Sequence, residues 1–535
     1  MSSSNENFSS KEKVPVPGSE RTPLFGARAT GETDPNERID VTVVVRPTPS
    51  SKTSSRIEDL SSSSPNKRKY LSRDEFEAVR GASKEDLERV QNFARQNDLK
   101  VTEVSASKRS VKLSGTVSSF NRALGVKLQR YTHPQGTYRG REGRITIPKE
   151  IAGVVQSIHG LDNRPQARPH IQPSGKLQPR GTGNSYTPID LARLYNFPKT
   201  DGSGQCIGII ELGGGYRTED LNSCFTSLQI KAPTVTSVSV DGGQNTPGVD
   251  QNADGEVELD IQVAGAIANA ANIVVYFAPN TDQGFLNAIT TAIHDNAHNP
   301  SVISISWGAS ESQWTSQSMQ TFNQAFQDGA ALGVTVCCAA GDHGSSDGDS
   351  DGLNHVDFPA SSIYALACGG TRLESSKGSI TNELVWNNND GWATGGGVSE
   401  FFDRPEWQRN ANVPASLNSG HHVGRGVPDL AADADGQTGY IIIINGQQHV
   451  FGGTSAVAPL IAALVALINQ SIGNPSGFIT GWIYTALSSS PGAFHDIISG
   501  TNGAFSARPG WDACTGWGRP DGIQFLNALK ASIPS

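Results

Sequence analysis

The pattern of apolar and polar positions changes near Tyr186 and divides the chain in two. Residues 1–36 are polar without a sustained period and are expected to be disordered. IDVTVVVRP (39–47) reads as a strand. SRDEFEAVRG and SKEDLERVQNFARQND carry helical spacing, with Ser72 and Ser83 placed to cap them. KVTEVSASKRSVKLSGT reads as two strands around a turn, VSSFNRALG as a short helix, KLQRYTHPQGTYRGREGRITIP as a hairpin-like pair and KEIAGVVQSIHGLD as a last helix. The order β-α-β-β-α-β predicts a small α+β domain of ferredoxin-like type over residues 37–161. Residues 162–185 are rich in Pro, Gly and Arg and read as an exposed, cleavable linker.

Beyond it, over residues 186–535, short continuous apolar runs recur: CIGIIEL (206–212), IVVYFAP (273–279), SVISISW (301–307) and VTVCCAAGD (334–342). Runs of this kind suit strands buried on both faces of a parallel sheet. Helical stretches such as GEVELDIQVAGAIAN and QSMQTFNQAFQDGAALG lie between them. The alternation predicts a three-layer α/β domain with a central, mostly parallel sheet. Ligand sites in such sheets lie beyond the carboxyl ends of the strands.

A length of 535 residues exceeds one ordinary domain. No run of 18 or more apolar residues occurs, so no membrane span is expected. The first residues lack the apolar stretch of a conventional signal peptide. The six cysteines form no CxxC pair and read as small buried hydrophobes, with a Cys206–Cys224 disulfide left open. Charge is divided unevenly. Residues 1–180 hold 31 Lys and Arg against 20 Asp and Glu, and residues 181–535 hold 12 against 32. The two parts attract each other near neutral pH, and acid weakens that attraction. A nucleic-acid partner is disfavoured, because the bases are interleaved with acids and no stacking aromatic motif accompanies them.

The chemistry centres on GGTSAVAPL (452–460), where Ser455 precedes an apolar helical run. A serine needs a base to act as a nucleophile. The spacing is not that of a G-x-S-x-G elbow, and no H-G-T-H pattern opens a helix. In its place stands DGEVELDIQVAGAIA (254–268). Glu256 and Asp260, four residues apart, share a helix face, and Glu258 points to solvent. Two close carboxylates do not ionise together easily, and a carboxylate base works best in acid. The same pair also suits an exposed acidic helix start that favours the dipole. AAGDHGSSDG (339–348) ends a strand with Asp342, whose carboxyl group can donate to an oxyanion when protonated. His343 is a rival base, but its side chain points away from that of Asp342 if the strand continues. The acidic loop SSDGDSDG (345–352) suits either a pocket for basic side chains or a solvated turn.

These motifs, GEVELDIQVAGAIA, SISWG, AAGDxGS, GGTSAVAP and HDI…GWD…TGWG, resemble those of the sedolisins, or serine-carboxyl peptidases, and most of all their kumamolisin branch. The resemblance covers nearly all of residues 186–535, and more loosely the front domain. It implies a subtilisin-like domain behind an inhibitory propeptide. It also implies an acid-acting, self-processing serine endopeptidase, with a tripeptidyl exopeptidase or an idle binding protein as alternatives. Carried over by residue, Ser455 is the nucleophile, Glu256 the base, Asp260 its orienting partner and Asp342 the oxyanion residue. Glu211 and Trp307 extend the network, and Ser306, Trp307 and Gly308 pair with substrate backbone. His343 departs from the usual serine. One structural Ca2+ is implied, held by Asp496 and Asp512 and by the carbonyls of Ile497, Arg508 and Gly510, with Arg508 replacing the usual glycine. The final propeptide cut is expected at Arg180–Gly181. The partners are protein and peptide substrates and the chain's own propeptide, the expected state is a monomer, and the expected location is extracellular.

Overall fold

Val41, Val43, Val111 and Leu113 are fully buried and project from two neighbouring strands onto Leu87, Val90, Phe93 and Phe120 of two helices. That packing builds the front domain. The computed structural model describes residues 12–48, 60, 65–134, 136–173, 185–486, 490 and 492–531. The front sheet has four antiparallel strands in the order Lys100–Ser105, Ser110–Thr116, Arg38–Val45 and Val155–His159. This is the ferredoxin-like order. Ser72 caps the Arg73–Arg80 helix with a reciprocal Ser72–Glu75 box, and Ser83 caps Lys84–Gln96.

Two expectations need correction. Residues 12–36 are not disordered: Lys13–Pro15 pairs with Thr146–Pro148, and Arg28–Glu32 pairs with Gln129–His133. These strands are held by backbone hydrogen bonds and expose most of their side chains, so hydropathy gives no sign of them. Residues 1–11 lie outside the described part. The predicted last helix is confined to Lys149–Ala152, and Val155–His159 is a strand.

The other face of the front sheet docks on two helices of the second domain, Asp282–Ile293 and Ser316–Leu332. Thr42 accepts from Gln283 and Asn287, and Gln317 donates to the Ile158 carbonyl. Arg80 and Arg109 meet the buried Asp328 at 3.4 and 2.6 Å, and Lys112 meets Asp241 at 2.8 Å. The charge division along the chain is thus partly expressed as ion pairs across this interface.

The second domain carries parallel strands in the order Thr234–Ser239, Asn272–Phe277, Cys206–Glu211, Val302–Ile305, Thr335–Ala339 and Leu366–Ser376. Leu430–Asp433 adds in parallel to the last of these, and Ser379–Val385 folds back on it. The helices Gln251–Ile267 and Thr454–Ile472 cover one face, and Asp282–Ile293 and Ser316–Leu332 cover the other. Thr454–Ile472 is long and apolar enough to cross a membrane by composition, yet most of it is buried here as a core helix. All six cysteines are free and buried.

Candidate active site

Every residue from Ala253 to Ile267 is buried, so the helix that carries Glu256 and Asp260 is enclosed on all sides. Both carboxyl groups are fully buried. Ser455 lies at the start of the Thr454–Ile472 helix, behind Gly453 at φ +102°. Its Oγ donates to the Ser306 carbonyl at 3.2 Å, while the two Glu256 oxygens have no hydrogen-bond partner. The hydroxyl is still near enough to favour the ionised form of Glu256. The Ser306 hydroxyl lies 2.9 and 2.8 Å from the two Asp260 oxygens. Trp307 Nε1 donates to Glu211 Oε2 at 2.9 Å.

Burial pushes Glu211, Glu256 and Asp260 all well above the usual carboxylate range. The charge of Asp260 raises the other two further. The three cannot ionise together, so any anion among them is a scarce and basic one.

Asp342 closes the site from the end of the Thr335–Ala339 strand. Thr454 donates to its Oδ1 from both N–H and Oγ1, at 2.8 Å each. Oδ2 is buried and unpartnered. Burial pushes this carboxyl up to about 6, against the opposing pull of His170 and the Thr454 bonds.

The linker fills the cleft. Arg168 and Pro169 pair antiparallel with Gly308 and Trp307, and the His170 N–H donates to the Ser306 carbonyl at 3.1 Å. The Ser455 N–H donates to the His170 carbonyl oxygen at 2.9 Å. A Cβ on Gly453 would stand 2.2 Å from that oxygen and 2.6 Å from Asp342 Oδ2, so both oxygens border the same small space. Gln172 and Pro173 then pair with Gly452 and Phe451. Ile171, between His170 and Gln172, joins the core beside the Gly255 backbone.

His170 Nε2 lies 3.0 Å from Asp357 Oδ2, both side chains being buried. Arg168 reaches Asp347 Oδ1 at 3.0 Å. Burial pushes Asp347 and Asp357 well up. Asp347 belongs to the acidic loop, whose other acids, Asp349 and Asp351, turn to His355. Gln172 Oε1 accepts the Gly436 N–H at 3.1 Å.

The site brings together Ser455, Glu256, Asp260, Asp342, Ser306 and Gly308, with Glu211 and Trp307 behind them. Glu258 is a correction. It is buried, accepts from the Arg217 N–H and from Gln262, and burial pushes it up to about 8. His343 faces Gly391 and Trp392 instead, and burial pulls it down to about 4. Asp347 lies in the acidic loop that the sequence offered as a pocket for basic side chains, whereas Asp357 and Thr454 escaped that reading and no spacing pointed to Asp357.

The loop Phe494–Gly518 carries the residues read as calcium ligands. Asp496 Oδ2 accepts the Gly510 N–H at 2.7 Å, and Asp512 Oδ2 accepts the Arg508 N–H at 3.2 Å. Asp512 is 1% exposed and pushed up by burial. Among the described residues no group of three or more His, Cys, Asp or Glu forms a metal cluster. Any ion here would rely on carbonyls, and an all-oxygen donor set fits a hard cation.

Residues 26–164 match the pro-kumamolisin activation domain, and residues 235–518 match the subtilase family. The chain is 50% identical to kumamolisin from Bacillus sp. (strain MN-32), over 93% of this chain and 92% of that one. It is 29% identical to sedolisin from Pseudomonas sp. (strain 101), over 85% and 80%. It is 28% identical to the tripeptidyl-peptidase sed5 of Aspergillus fumigatus, over 96% and 97%. A Pseudomonas sedolisin structure superposes with a TM-score of 0.58 at 29% identity, over 66% of this chain and 99% of that one.

Proposed function

The chain belongs to the serine-carboxyl peptidase family of kumamolisin and sedolisin, and from that premise we propose that it is an acid-acting endopeptidase that processes its own linker. The carrying observation is the His170 carbonyl, which receives the Ser455 N–H at 2.9 Å and borders Asp342 Oδ2. That is the position of a bond about to be cut.

On this reading Ser455 Oγ attacks the carbonyl carbon as Glu256 takes its proton. Asp260, held by Ser306, and Glu211, held by Trp307, tune that glutamate. The Ser455 N–H and the protonated Asp342 stabilise the oxyanion. Glu256 then returns the proton to the leaving amine, an acyl group stays on Ser455, and water releases it. Asp342 must be protonated while Glu256 is ionised: the first requirement limits turnover to pH below about 6, and burial, which pushes Glu256 up, makes the reactive form a minority there.

On this reading the first cut falls at His170–Ile171, ahead of the expected Arg180–Gly181 bond, which lies outside the described residues. A preference for basic side chains at the first and third residues before the cut follows from Asp357 and Asp347. An internal cut is favoured over removal of tripeptides, because the linker continues from Arg168 back to Ala167 and Gln166, both bonded to Asn280. We further propose that the Phe494–Gly518 loop binds one Ca2+ through Asp496, Asp512 and carbonyls, and that the enzyme acts outside the cell as a monomer. Assay of culture medium against lysate, and of mass in solution, tests those last two points.

The test of the activity is an internally quenched peptide containing Arg-Pro-His-Ile-Gln-Pro. The mature enzyme should cut it after His at about pH 4 and lose the activity with Ser455→Ala. Cutting only three residues from a free amino terminus would favour the exopeptidase.

A further inference from the structure

Asn280 lies three residues beyond the Asn272–Phe277 strand, just before Thr281, the cap of the Asp282–Ile293 helix. Its carboxamide makes three hydrogen bonds. Oδ1 accepts the N–H groups of Gln166 and Ala167 at 3.0 Å each, and Nδ2 donates to the Ala167 carbonyl at 2.7 Å. Among the described residues, every side-chain hydrogen bond of Asn280 runs to the linker. Once the propeptide leaves, that amide faces the cleft with its donor and acceptor free.

The neighbouring backbone explains why a side chain is needed here. Trp307 and Gly308 pair with Pro169 and Arg168, but Ala309 and Ser310 pair with Phe358 and Asp357. The linker's own pairing with this strand runs only from Pro169 back to Arg168, the third residue before the cut, while Ala309 and Ser310 pair on the opposite edge. A peptide following the linker further meets no backbone ladder on that side. An amide, which donates and accepts at once, matches a peptide unit in the way a strand edge would.

We propose that Asn280 is a specificity-determining residue of the mature enzyme. It holds the N–H and carbonyl of the fourth residue before the cut and the N–H of the fifth, so turnover rises once a substrate extends past its third residue. This rests on the linker marking the path of substrate. Because the contacts are to backbone, the preference concerns length and not side-chain identity.

The test uses peptides with one common cleavage bond and three, four or five residues before it, given to mature wild type, Asn280→Ala and Asn280→Asp. For the wild type, kcat/KM should rise about tenfold or more between three and five residues. Asn280→Ala should flatten that rise and leave the three-residue substrate unchanged. Asn280→Asp keeps the acceptors, loses the donor and should fall between them. A peptide with an ester in place of the fourth-residue N–H should be turned over more slowly than its amide parent by wild type, a readout that needs no variant to fold. Equal loss at all lengths in Asn280→Ala, or no length dependence in wild type, would overturn the proposal. Failure of wild type to cut any of the series, while it cuts unrelated peptides, would instead refute the linker as a guide to substrate.

Discussion

The Ser455 backbone N–H and the His170 carbonyl oxygen are hydrogen-bonded at 2.9 Å, so the propeptide linker is joined to the enzyme at the residue read as its nucleophile. A peptide bond already lies beside Ser455, and on the proposed mechanism what it lacks at neutral pH is the right set of protons. The predictions below concern those protons and the contacts that bring the bond there.

Asp342 should set the alkaline limb of activity. Burial holds it at about 6, so as a donor it is present below that pH and lost as pH rises through it. Asp342→Ala should lower kcat about 100- to 1,000-fold, the usual cost of one oxyanion donor. Asp342→Asn keeps an acceptor for Thr454 and a permanent donor toward the oxyanion. It should retain more activity than Asp342→Ala and lose the limb near pH 6. A pH–rate profile of the three enzymes checks this.

Asp357 should govern the first residue before the cut. Burial pushes Asp357 well up and a bound cation opposes that, so Asp357→Asn should reduce kcat/KM for Arg or His at that position and leave Leu little changed. Gly308→Ala should impair both kinds of substrate, because its Cβ would fall 2.0 Å from Asp357 Oδ1.

His294 should contribute to acid release of the propeptide. It packs on Phe76 at 5.1 Å, and its Nδ1 has no partner. It borders a small cavity between the domains lined by Thr42, Ser110, Thr290 and Asp328. Burial pulls it down to about 4; Asp328 favours its charge, while Arg109, Arg73 and Lys108 of the front domain oppose it. A depressed histidine costs the docked state nothing above its ordinary value and opposes docking increasingly as pH falls from about 6.5 toward 4. In full-length Ser455→Ala protein, amide exchange at the interface should quicken over that window. His294→Gln should blunt the change by roughly 1 to 3 kcal/mol.

Calcium removal should affect stability and turnover together. The Ser345 N–H donates to the Asn502 carbonyl at 3.0 Å, and the Ala504 N–H to Ser345 Oγ at 2.9 Å. The proposed ion loop thus supports the segment that follows Asp342. A chelator should lower Tm by several degrees, as expected for loss of roughly 2 to 3 kcal/mol of linked binding. Asp512→Asn should abolish that sensitivity. An unchanged Tm would remove the ion from the account.

Much of the arrangement was legible because continuous apolar runs such as Ile207–Ile210 and Val302–Ile305 have few homes other than a covered parallel sheet. The spacing of Glu256 and Asp260 was legible for the same reason, since a helix fixes which side chains share a face. Glu258 was misread because helical projection assumes a solvated side, and Gln251–Ile267 has none. The strands within residues 12–36 were missed because backbone pairing holds them. The path of Ala167–Gln172 was hidden by its composition. Proline and arginine suit a loose linker, but here Pro169 and Arg168 occupy a strand edge whose partners lie more than a hundred residues away. Asp357 and Asn280 were invisible for a related reason: each acts on a segment that only the fold brings near.

The most direct measurement is intact mass, with sequencing of the new amino terminus, after full-length protein is moved from pH 7 to about pH 4. Wild type should first yield a fragment ending at His170 and a partner beginning at Ile171, and Ser455→Ala should yield neither. A first cut elsewhere, or the same cut in Ser455→Ala, would contradict the placement of the His170–Ile171 bond against Ser455.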